Sequence, residues 1–138
     1  MTDLPDVNVL VALHLPNHEG HERAVRWLEQ TPTFATTPVT EAGFVRLMLN
    51  PAIFGPDASA RKATEMLTRL KTQPHALFVP DLSPVDTSAF LYALSGPKQV
   101  TDLHLLDVAR SRAARLVTFD GKLKASLRPL DRKHVVLL

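Results

Sequence analysis

Four carboxylates stand where a packing role is hard to assign: Asp6, Glu41, Asp102 and Asp120. Asp6 follows the first expected strand, and Asp120 follows a later one in Leu116-Val117-Thr118-Phe119-Asp120-Gly121. Sites in an open parallel sheet form beyond the carboxyl ends of the strands, so both acids are expected over one crevice. Glu41 lies at a helix start with Phe44, Val45 and Met48 on the same stripe, and Asp102 is aligned in the same way with Leu106, Ala109 and Ala113. Each acid alone has an ordinary explanation. A carboxylate gains about 0.3–1 kcal/mol at a helix N-terminus, and acids are common in the loop after a strand. Four of them at the ends of four elements of a small domain would repel one another unless a cation neutralised them. Oxygen donors with room for water suit Mg²⁺ or Mn²⁺. Such an ion activates water, orients a phosphodiester and stabilises charge on its leaving oxygen.

The rest of the composition narrows the chemistry further. The 138 residues contain no cysteine, which removes disulfides, thiolate nucleophiles and cysteine-based zinc sites together. Apolar residues make up 45% and charged residues 22%, the usage of an ordinary globular domain of this length. The N-terminus lacks the basic start and long apolar run of a signal peptide, and no stretch approaches a membrane span, so a cytoplasmic protein is expected. Net charge is only +2. If four of the fourteen acids are gathered in one site, however, ten remain against sixteen basic residues, eight of which lie between Arg110 and Lys133. Those eight can meet phosphates or form a solvated helix face.

The elements that must position the acids follow from periodicity and punctuation. A strand ending near Asp6 feeds a helix over 8–15 capped by Asn8, and a second helix covers roughly 19–30. Residues 34–37 read as a strand, and Thr40 caps a helix reaching Leu49. A helix over 57–71 and a strand over 77–79 follow, then a helix from Pro84 to about Leu94. An amphipathic helix over 102–115, a strand over 116–119 and a last strand over 135–138 complete the chain. Short apolar strands alternating with helices imply one α/β domain spanning 1–138, its parallel sheet flanked by helices on both faces.

The segments Leu4-Pro5-Asp6-Val7-Asn8-Val9-Leu10, Thr40-Glu41-Ala42-Gly43-Phe44-Val45-Arg46, Thr101-Asp102-Leu103-His104-Leu105-Leu106 and Val117-Thr118-Phe119-Asp120 resemble PIN-domain ribonucleases, particularly VapC toxins. Each motif is short, but the ordered set covers nearly the whole chain. The resemblance implies a PIN-like fold and a Mg²⁺-dependent endoribonuclease, with Mn²⁺ as a substitute. It further implies a metal site of Asp6, Glu41, Asp102 and Asp120, supported by Asn8, Thr101 and Thr118. An RNA substrate, a VapB-like antitoxin and a homodimer come from the resemblance alone.

A second acid, Asp107, sits five residues beyond Asp102, about 140° around a helix, so it is expected to face solvent near Arg110. His14, His18 and His21 lack the i, i+4 spacing of a helical zinc pair and are separated by Pro16. His104 reads as a helix-surface residue and Trp27 as core, with RNA contact and a partner groove as their respective alternatives. Two rival functions are a receiver-type metal-binding signalling domain and a catalytically silent RNA- or protein-binding module. The first calls for adjacent acids after the first strand, which are absent, and the four acids weigh against the second.

Overall fold

Alternation along the strands decides the architecture. In the computed structural model, which describes all 138 residues, the strands are β1 (Thr2–Pro5), β2 (Thr33–Thr36), β3 (Ala76–Phe78), β4 (Arg115–Thr118) and β5 (Val135–Leu137). Leu4, Ala35 and Leu116 enter one core with Phe90, Leu103, Leu106, Leu123 and Leu127. Phe34 and Val117 enter a second core with Val9, Leu10, Trp27, Phe44, Met48 and Leu70. Apolar side chains on both faces of a strand require cover on both faces of the sheet. Helices α1 (Val7–His14), α2 (His21–Gln30), α3 (Pro38–Met48) and α5 (Ala60–Lys71) supply it on the second face. Helices α6 (Val100–Ser111) and α7 (Gly121–Ser126) supply it on the first. The short α4 (Pro51–Phe54) buries no residue completely.

All strand pairings are parallel, in the order β3-β2-β1-β4-β5. The chain moves outward from β1 to β2 and β3, then returns to the other side of β1 to place β4 and β5. The order reverses between β1 and β4, which puts the crevice of such a sheet beyond their carboxyl ends. It also departs from the 2-1-3-4-5 order of receiver-type domains. No helix is long and apolar enough to cross a membrane.

Several boundaries differ from the sequence-based expectation, each for a local reason. Asp6, not Asn8, caps α1, its Oδ1 accepting the Val9 N–H at 2.9 Å. Helix α2 starts at His21 because the preceding residues turn, with the Gly20 N–H donating to His18 Nδ1 at 2.9 Å. Thr37 is the cap of α3, since Pro38 is already set for the first helical position. Thr40 lies in the first turn and accepts the Thr37 N–H at 3.1 Å. Ser59 moves the start of α5 to Ala60 by accepting the Lys62 N–H, and β3 begins and ends one residue early.

The helix expected from Pro84 to Leu94 does not form; only Leu91–Ala93 makes a 3₁₀ turn. Asp81 Oδ1 accepts the Ser83 N–H and Ser88 Oγ accepts the Phe90 N–H. Such side-chain bonds offer the backbone an alternative to a helix. Helix α6 spans Val100–Ser111, not 102–115: Ala113 has a φ of 53° and the Ala114 N–H returns to the Ala109 carbonyl at 2.8 Å. Ala113 is consequently exposed, and Arg115 already belongs to β4.

Candidate active site

Asp6 is the residue at which β1 becomes α1. Its N–H continues the ladder to the Val117 carbonyl at 2.9 Å while its side chain caps the helix. Asp120 repeats the arrangement after β4, its Oδ1 accepting from Lys122 at 2.9 Å and from Leu123 at 3.1 Å. Capping thus engages one oxygen of Asp120 and leaves Oδ2 without a partner in the protein. Thr118 stands between the two acids. Its Oγ1 accepts the Asp120 N–H at 3.0 Å, and its hydroxyl favours the charged form of Asp6. Asp102 comes from the first turn of α6 and makes no side-chain hydrogen bond in the protein.

The electrostatics place these three acids in one field. Burial is the main force raising Asp6 above its ordinary value; Thr118 and the Val9 and Asn8 N–H groups oppose the rise, and Asp120 adds to it. Burial first, then the charges of Asp6 and Asp120, push Asp102 up to about 6. Asp6 and Asp102, both raised and both in the field of Asp120, form with it a donor set suited to a hard divalent cation. No three carboxylate or imidazole side chains gather tightly enough to close around an ion, so the acids face a common crevice without forming a closed cage.

Glu41 is held apart from the trio. Its Oε1 accepts from the Thr36 hydroxyl at 2.7 Å and pairs with Lys71 Nζ at 2.7 Å. Thr36 ends β2, beside β1, so Glu41 lies along the same sheet edge with its charge already compensated. Of the supporting residues expected from sequence, Thr118 touches the acids, whereas the side chains of Asn8 and Thr101 are exposed and make no hydrogen bond. Asp107 does not pair with Arg110, whose guanidinium instead lies 6.0 Å from the Phe90 ring centre. It is also absent from the groups that perturb Asp102.

Other side chains take roles that spacing could not reveal. His104 is not a surface residue: its Nε2 meets Asp81 Oδ2 at 2.5 Å, tying α6 to the segment after β3, with both side chains mostly buried. Trp27 packs in the core and donates from Nε1 to Asp3 Oδ2 at 2.9 Å. Asp3 also receives two bonds from Arg115, at 3.0 and 2.8 Å. His14 and His21 bond the Leu10 and Ala12 carbonyls through their Nδ1 atoms.

The chain is similar to several known proteins. The family model "PIN domain" matches residues 4–126. Ribonuclease VapC39 of Mycobacterium tuberculosis is 40% identical over 130 residues, covering 91% of this chain and 94% of the relative. Ribonuclease VapC38 of the same organism is 42% identical over 121 residues, covering 86% and 84%. Among solved structures, M. tuberculosis VapC20, a sarcin-ricin loop cleaving toxin, superposes with a TM-score of 0.65 at 16% identity, over 92% of this chain and 99% of its own. Rickettsia felis VapBC2 bound to a DNA fragment from its promoter gives 0.64 at 14% identity, over 100% and 98%.

Proposed function

Because the chain belongs to the PIN-domain family, we propose that it is a VapC-type endoribonuclease toxin that hydrolyses RNA phosphodiester bonds and is neutralised by a VapB-like antitoxin. The observation that carries the catalytic reading is the trio of Asp6, Asp102 and Asp120 at the β1/β4 switch, where burial first and then the charges of Asp6 and Asp120 push the Asp102 carboxyl up to about 6. These three residues would hold a Mg²⁺ or Mn²⁺ ion, with Glu41 as a fourth donor when it leaves Lys71. The bound ion would supply water activation and neutralise charge on the scissile phosphate. Thr118 opposes the rise that burial imposes on Asp6 and orients Asp120 through its backbone. Asn8 and Thr101 stand close enough in sequence to the acids to join once substrate arrives. A homodimer acting in the cytoplasm is part of the same reading, as the family resemblance implies.

The test is incubation of the purified chain with total RNA in Mg²⁺, in Mn²⁺ and in excess EDTA, with mapping of the new ends. Cleavage should require the metal and leave 5′-phosphate and 3′-hydroxyl ends. Undiminished cleavage in chelator, or cyclic 2′,3′-phosphate products, would overturn the reading.

A further inference from the structure

Between α2 and the edge strand β5 runs a cleft of about 370 Å³ lined by Arg23, Arg26, Gln30, Arg115, Val136 and Leu138, with Trp27 and Thr31 at its floor. Arg115, at the start of β4, is in the lining, and Arg23, also in the lining, packs on Phe119, the residue before Asp120. From Arg115 to Asp120 is ~16 Å at the rise of an extended chain. The Arg23 end of the cleft is therefore the end directed toward Asp120.

Its charge is one-sided, since no acidic side chain lines it. Arg115 is compensated from below by buried Asp3. Arg23 donates from Nη1 to the Leu138 carbonyl at 2.9 Å and lies 4.9 Å from the Phe119 ring centre. Its other nitrogens have no hydrogen-bond partner in the protein. Arg26, one turn along α2, is exposed and has no hydrogen bond, ion pair or aromatic contact within the protein. An arginine pair on one helix face, unopposed by acid and pointing into a groove that opens at the sheet edge, matches the backbone of a single strand of nucleic acid.

We propose that the α2/β5 groove is a phosphate track: Arg23 and Arg26 hold the RNA backbone on one side of the scissile bond and steer it toward Asp120. This inference rests on the ribonuclease reading. The track contacts phosphates, not bases, so it adds affinity without sequence preference.

The test measures binding of a fluorescein-labelled single-stranded oligoribonucleotide in excess EDTA, where the acids contribute no catalysis, by anisotropy across a salt series. Arg26→Gln should weaken binding severalfold and lower the salt slope by roughly 0.7, the counterion released by one phosphate contact on a single strand. Arg26→Lys should restore most of both, and Arg26→Gln should raise KM for RNA cleavage while leaving kcat nearly unchanged. Arg128→Gln, outside the cleft lining where Arg128 stacks on Tyr92, is the comparison for nonspecific charge loss. If Arg26→Gln matches Arg128→Gln in affinity and slope while the wild-type chain cleaves RNA, the track is refuted and the ribonuclease reading stands. If Arg26→Gln loses only antitoxin binding, the groove serves a protein and the proposal fails. Absence of cleavage by the wild-type chain would refute the parent reading instead.

Discussion

Asp102 and Asp107 share α6, yet only one of them lies in the field of the other acids, and the distinction has a measurable consequence. Asp102 is raised to about 6 from an ordinary 3.8 by burial and by Asp6 and Asp120. Between these values the folded chain keeps a proton that the unfolded chain releases. The group's contribution to stability is therefore full below about 3.8 and is lost as pH rises to about 6, above which its ionisation opposes folding. Without metal, Asp102→Asn should melt at nearly the wild-type temperature at pH 4 and above it at pH 7.5, while its RNA cleavage falls sharply. Asp107→Asn should show neither effect, since Asp107 perturbs no member of the trio and pairs with no cation. Melting curves at both pH values and cleavage rates at saturating Mg²⁺ decide the matter. A dead Asp107→Asn beside an active Asp102→Asn would reverse the assignment.

Elements set these acids in place through close approaches, among them that of α3 on α1. A Cβ on Gly43 would sit 2.6 Å from Val7 Cγ2, and Val7 is stiff at χ1 and directly follows the capping Asp6. Gly43→Ala should cost about 1–3 kcal/mol, typical of overpacking, and should reduce cleavage because the strain is relieved at Asp6. Gly96→Ala is the control, with open space around the added methyl. Denaturant midpoints for both variants test this, and equal midpoints would show that the helices separate freely. The strand and helix order and the positions of Asp6 and Asp120 after β1 and β4 were legible in the sequence, because period-two alternation and strand-end polarity are local signals. The helix from Pro84 was misread, since Pro marks a start but cannot show that Asp81 and Ser88 will capture the backbone. The Glu41–Lys71 and His104–Asp81 pairs bridge residues far apart in sequence, and no local pattern announces such a meeting. Asp102 was placed on the right stripe although its helix starts two residues earlier and ends four earlier than its periodicity suggested, because that stripe is fixed by Leu106 and Ala109, both buried.

For the whole molecule, the clustered acids are a liability to the fold that a bound cation would offset. Asp6 and Asp120 each cap a helix, a contribution Asn can keep because it caps as well as Asp. Their charges, by contrast, only repel each other and Asp102. Asp120→Asn should therefore preserve the fold and raise the melting temperature in EDTA. An ion bound by the folded trio but not by the unfolded chain stabilises by mass action, about 2.7 kcal/mol at a hundred times its dissociation constant. For a chain of this size that is roughly 5–10 °C. Adding Mn²⁺ to the wild-type protein should thus raise its melting temperature, and the increment should shrink strongly in Asp120→Asn although that variant starts from a higher value. The opposite order of the two baselines and the two increments is the signature of shared carboxylates, because a purely structural cap would lower the baseline and leave any metal effect untouched. Thermal melts of both proteins with EDTA and with a Mn²⁺ series at pH 7.5 measure all four values. A wild-type melting temperature indifferent to Mn²⁺, or an Asp120→Asn variant that melts below wild type in EDTA, would show that the trio is held together for capping and not for a metal.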